Sequence, residues 1–172
     1  MQIEAFYDKS TGTLTYIVYD DTSKDAIVID PVLDYEPQSS STATIAVDKL
    51  LAFLREHDLD VRMIAETHAH ADHLSGAQFV KQKHPDAEIA IGEGITGSQE
   101  TFKRVFDLPE DFPTDGSQFD RLLRDRETVQ VGTLSFEVIA TPGHTPGCSS
   151  YKFGKHVFTG DALFMPDYGT GR

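Results

Sequence analysis

The sequence has 172 residues, 39% of them hydrophobic, a formal charge of −13 and a single cysteine. That is one domain's worth of chain with apolar content sufficient for a core. The acidic balance argues against a nucleic-acid or anionic-membrane partner, which needs a basic face, and its plainest meaning is solubility. Cys148 alone allows neither an intrachain disulfide nor a CxxC metal site, and fits a reducing compartment. No apolar run approaches the ~20 residues of a membrane span. The opening MQIEAFYDKS has acids and no apolar signal region. The expected location is the cytoplasm.

Residues 2–7 (QIEAFY) and 13–20 (TLTYIVYD) read as strands around a turn. Residues 25–30 (DAIVID) form a continuous apolar run ending in Asp30-Pro31, the pattern of a strand buried on both faces. A polar loop is expected over 31–42. The spacing of Ile45, Val47, Leu50, Leu51 and Leu54 predicts a helix from about Thr44 to His57. Residues 61–66 (VRMIAE) are the next strand. A helix is expected from Leu74 to Lys83, stopped by His84-Pro85, and then a short strand over 88–91. Within 92–125, Glu100–Phe106 and Ser117–Leu123 read as helices around a loop, forming either a lid or a crossover. Strands follow over 127–131, 133–140, 149–153 and 156–161. Gly154-Lys155 reads as a hairpin turn.

Directly after the 61–66 strand comes Thr67-His68-Ala69-His70-Ala71-Asp72-His73, with three imidazoles and one carboxylate. These are ligands that suit zinc or iron. In an extended backbone His68, His70 and Asp72 point the same way, and His73 breaks the alternation. The bland alternative is a solvated polar loop. A second candidate is His144 within TPGHTPG, where two prolines and two glycines fix a tight loop. Its alternative is a turn with an incidental histidine. A third is Asp161 in TGDAL, at the end of a strand, which could ligate metal or simply cap a turn. His57, His84 and His156 read as structural or surface residues, and Cys148 as a small buried one.

His68-x-His70-x-Asp72-His73, then His144 in its loop, then Asp161 in TGDAL, resembles the metallo-β-lactamase superfamily. The segments THAHADHLSGA, IGEGI and GDALFMPDYGTGR are similar to bacterial persulfide dioxygenases, relatives of the glyoxalase II thioesterases. The resemblance implies an α/β fold, the αββα sandwich, with residues 1–172 as its N-terminal part. It implies one Fe(II) per chain on His68, His144 and Asp161, a 2-His-1-carboxylate set with positions open to O₂ and a thiol or persulfide substrate. His70, Asp72 and His73 would be outer-shell or second-metal residues, and Arg172 would help hold glutathione.

The alternative within the same resemblance is a dinuclear zinc thioester hydrolase. There His68, His70 and His144 bind one ion, Asp72 and His73 the other, and Asp161 bridges. Such a superfamily domain continues beyond the position of Arg172 with a further half-sheet and ligand histidine. The expectation is therefore a fragment, inactive on its own in one reading, or a chain completed by a second polypeptide or a homo-oligomer.

Overall fold

A computed structural model of the chain describes residues 1–70, 73–165 and 167–170. Asp72 and Arg172 lie outside the described residues. Contacts divide the described residues into two compact units. The first is drawn from 1–66, 70–89 and 130–134, the second from 67–69, 90–129 and 135 onward.

The first unit begins with β1 (Gln2–Tyr7), β2 (Leu14–Tyr19) and β3 (Asp25–Ile29), an antiparallel series in which Tyr16 faces Ile29 and Val18 faces Ile27. β3 is buried along its whole length, as its uninterrupted apolar run requires. The chain then forms β4 (Val32–Glu36) and β5 (Ser41–Ala43), an antiparallel hairpin where a loop was expected. Pro37 and the serines make its turn, and Ser40 takes φ +50° there. The strand character of VLDYE comes from its partners, which local composition does not show.

The helix α1 (Ile45–Glu56) buries Val47, Leu50 and Leu54, the stripe the sequence periodicity defines. Its first turn receives Asp34 Oδ2, which accepts the Ala46 N–H at 2.8 Å. β6 (Asp60–Glu66) pairs in parallel with β3 and leads directly into the histidine segment. β7 (Leu74–Ser75) pairs with β4, so the following helix α2 (Ala77–Lys83) starts later than the expected Leu74. β8 (Glu88–Gly92) starts in the first unit and ends in the second.

In the second unit, α3 (Ile95–Val105) starts well before the expected Glu100. The expected helix over 117–123 is replaced by β9 (Arg121–Leu123), parallel to residues 90–92. Gln99 holds the preceding turn by accepting the Gly116 N–H and donating to Gln118. Leu123 is buried, so pairing and burial override local helix preference. A four-stranded sheet follows in the order β10 (Thr128–Val131), β11 (Leu134–Ala140), β12 (Ser149–Phe153) and β13 (His156–Phe158), of which residues 130–134 fall in the first unit. Its core is aromatic. Phe136 stacks on Phe153 at 4.9 Å and meets Tyr151 edge-on, and Phe158 meets Phe153 at 5.5 Å. β13 ends at Phe158 because a single 3₁₀ turn, Gly160–Ala162, breaks the extended backbone. Among the described residues no helix is long and apolar enough to cross a membrane.

Candidate metal centre

Three side chains from three chain segments converge in the second unit. His68 follows β6, His144 sits in the loop between β11 and β12, and Asp161 occupies the 3₁₀ turn after β13. His144 Nε2 is 3.5 Å from Asp161 Oδ2, and His68 Nε2 is 3.8 Å from the same oxygen. The two imidazoles meet edge to face at 4.9 Å. Ligands about 2.1 Å from a common ion lie roughly 3 to 3.5 Å apart, so this set closes on a divalent ion with a small contraction. Two imidazoles and a carboxylate suit iron or zinc alike.

Burial differs among the three. The His68 side chain is fully buried, whereas those of His144 and Asp161 are each 31% exposed. His68 therefore forms the floor of the site, and His144 and Asp161 form its open side. The His144 loop is tightly closed. Cys148 C=O accepts the Thr141 N–H at 2.9 Å, and Cys148 Sγ accepts the Thr145 N–H at 3.2 Å. Cys148 is buried, as expected. The loop also packs backbone against backbone on the start of α3. A Cβ on Gly94 would meet Gly147 Cα at 3.0 Å, and one on Gly147 would meet Gly94 carbonyl atoms at 3.1 Å.

His70 does not join that group. It belongs to the first unit, with Asp30 and Glu66. His70 Nε2 lies 3.2 Å from Asp30 Oδ1 and 3.4 Å from Glu66 Oε2, and all three side chains are nearly buried. Burial alone would lower the His70 pKa, but hydrogen bonds to Asp30 and Glu66 and their charges outweigh it and push it up to about 10. An imidazolium has no lone pair for a metal, and ligation through Nδ1 requires loss of that proton. Burial pushes the Glu66 carboxyl up, and the neighbouring Asp30 charge adds to this. The Ser75 hydroxyl donates to Glu66 Oε1. His73 stacks on His70 at 4.1 Å. Its Nδ1 donates to the Leu74 carbonyl at 3.1 Å, so its Nε2 is the ligand-capable nitrogen.

Asp30 and Glu66 were not among the sequence candidates. Each had a visible signal, a charged residue closing an apolar strand. Asp30 takes φ +49° immediately before Pro31, its carbonyl accepts the Thr15 hydroxyl, and its own N–H donates to Ala65. A left-handed Asp held on both sides has the direction of its carboxylate fixed by the backbone. The remaining histidines are members of neither group. His57 closes α1 and stacks on Phe53 at 4.1 Å, His84 follows α2, and His156 opens β13 in an exposed position.

The fold is α/β, and His68, His144 and Asp161 form a candidate metal site. The chain belongs to the metallo-beta-lactamase superfamily, whose sequence profile matches residues 10–172. It is 46% identical to the Dictyostelium discoideum protein named Glyoxylase B2, over 99% of this chain and 59% of that one. A Burkholderia pseudomallei protein named Probable metallo-hydrolase is 44% identical, over 100% of this chain and 62% of its own length. The mitochondrial persulfide dioxygenase ETHE1 of Homo sapiens is 28% identical, over 95% and 53%. Among solved structures, ETHE1 from Myxococcus xanthus superposes with a TM-score of 0.72 at 29% identity, over 99% of this chain and 64% of that one. The chain thus spans about 60% of the length of the first two relatives. Members of this superfamily bind metal ions, and the α/β fold expected from the motifs is the fold observed.

Proposed function

We propose that the chain carries the site of a non-haem Fe(II) dioxygenase, one iron per chain, that oxidises glutathione persulfide to sulfite and glutathione. The observation that carries this reading is the convergence of His68, His144 and Asp161 on one point, while His70 is held by Asp30 and Glu66. Bound Fe(II) would supply redox chemistry and coordination positions not filled by protein. The half-exposed side between His144 and Asp161 is where O₂ and the outer persulfide sulfur would enter, and buried His68 keeps the opposite side closed to water.

The reaction balances as R–S–SH + O₂ + H₂O → R–SH + SO₃²⁻ + 2H⁺. The outer sulfur loses the electrons that O₂ gains, the S–S bond breaks, and the inner sulfur leaves as the thiol. Arg172, outside the described residues, is the proposed holder of the glutathione moiety. The 29% identity to a structurally similar ETHE1 supports the assignment.

A second reading has a specific observation in its favour. The proteins named Glyoxylase B2 and Probable metallo-hydrolase share more identity with this chain than the persulfide dioxygenase of Homo sapiens does. In that reading two zinc ions bind and a thioester is hydrolysed, with His70 and His73 as ligands. Elemental analysis of the purified chain, with O₂ uptake and sulfite yield measured on glutathione persulfide, separates the two. About one iron per chain with O₂-dependent sulfite is expected. Two zincs with thioester cleavage in the absence of O₂ overturns the dioxygenase assignment.

A further inference from the structure

The three proposed ligands come from segments far apart in sequence, and one buried residue touches all three segments. Thr67 is 1% exposed and precedes His68. Its Oγ1 lies 3.0 Å from His68 Nδ1. Its carbonyl accepts the Ser149 N–H at 2.9 Å, at the point where the His144 loop re-enters β12. Its side chain lies against Gly160, the residue before Asp161. A Cβ on Gly160 would meet Thr67 Oγ1 at 2.3 Å and Thr67 Cβ at 2.8 Å, and φ of +50° already favours glycine there.

The hydrogen bond to His68 carries chemical information. An imidazole that binds metal through one nitrogen must have its proton on the other, and the partner of that other nitrogen sets the tautomer. His68 Nε2 faces Asp161, so Nδ1 is the nitrogen that must keep its proton, and the Thr67 hydroxyl oxygen is in place to accept it.

We propose that Thr67 is the positioning residue of this metal centre. Its hydroxyl holds His68 in the Nδ1–H tautomer that presents the Nε2 lone pair. Its carbonyl and methyl-bearing face hold the His144 loop and the Asp161 turn at the same point. The inference rests on His68, His144 and Asp161 binding metal, and is independent of whether the reaction is oxidation or hydrolysis.

The test is made on the whole chain with Thr67→Val and Thr67→Ser, measuring Zn(II) and Co(II) affinity by chelator competition. The ring nitrogens of His68 are followed in the Zn(II)-loaded protein by ¹⁵N NMR. Thr67→Val removes the hydroxyl and keeps the shape, and should weaken both metals about 10- to 100-fold, the effect typical of losing a partner of a metal-bound histidine. Thr67→Ser keeps the hydroxyl and should restore affinity to within a few-fold of the parent.

In the parent protein the His68 proton should sit on Nδ1. Unchanged affinity in Thr67→Val, a serine variant as weak as the valine variant, or a parent proton on Nε2 would each overturn the proposal. The NMR result stands even where Thr67→Val does not fold. His144→Ala serves as the separate control. If it binds metal as tightly as the parent, the metal-site reading fails and the Thr67 proposal falls with it; weak binding in His144→Ala beside unchanged binding in Thr67→Val overturns the Thr67 proposal alone.

Discussion

Asp30 and His70 are separated by 40 positions in sequence, yet Asp30 Oδ1 lies 3.2 Å from His70 Nε2 in a nearly dry environment. Together with Glu66 they give the first unit a charge cluster of its own, beside a histidine motif that would otherwise read as one metal-binding stretch. The two groups should answer mutation differently.

Metal binding should depend on the second-unit group. His144→Ala and Asp161→Asn are expected to lower metal affinity by at least about 100-fold, since each removes a direct ligand. His70→Ala should lower it by no more than about 10-fold in the mononuclear reading. Inductively coupled plasma analysis after dialysis against a weak chelator measures this. Equal loss across all three contradicts a single-ion site.

Folding stability should show the reverse order. His70→Ala leaves two buried carboxylates facing each other without the imidazole between them, a change expected to cost about 3 to 5 kcal/mol. His144 is partly exposed, so His144→Ala should cost less than about 1 kcal/mol in the metal-free chain. Urea unfolding of the metal-free variants makes the comparison. A His70→Ala variant as stable as the parent removes the case for a structural Asp30–Glu66–His70 cluster.

Asp25 gives a pH signature. Its Oδ2 accepts the Thr133 N–H at 2.9 Å and its Oδ1 accepts from Arg62 at 3.0 Å. The Thr133 N–H holds the carboxyl below its ordinary value of 3.8, Arg62 helps, and burial opposes both. A depressed carboxylate pKa contributes stability that is present above the ordinary value and is lost as pH falls below it. Asp25→Asn should therefore be less stable than the parent at pH 7, by about 1 to 3 kcal/mol. The gap should close as the pH is lowered below 3.8. Unfolding curves across that range test it, and a constant gap counts against the assignment.

The Gly94–Gly147 contact predicts an indirect effect on the metal. Gly94 has φ −62°, so Gly94→Ala meets no backbone-conformation penalty, but its Cβ meets the Gly147 Cα and the Pro146 carbonyl oxygen, each at 3.0 Å. Displacing the His144 loop should cost about 1 to 3 kcal/mol in stability, and metal affinity should fall along with it. Ala at Gly97, where nothing lies within 4 Å, is the control and should be neutral or stabilising.

Much of this was legible in the linear sequence because it is local. Hydrophobic period located β1, β2, β3, α1, β6 and the strands from β10 to β13 to within a few residues. His68, His144 and Asp161 stood out because each follows a strand in a segment dense with turn or ligand residues. What was misread depends on partners distant in sequence. The β4–β5 hairpin, β7 and β9 are strands by virtue of what they pair with, and their own composition resembles loop or helix.

The histidine motif shows the same division most clearly. Sequence determined that His68 and His70 would both be well placed for a metal. Only the tertiary structure gave them different partners, bringing Asp161 to one and Asp30 to the other. A side chain's protonation and partners are set by the charges folded against it, and those charges lie far away along the chain.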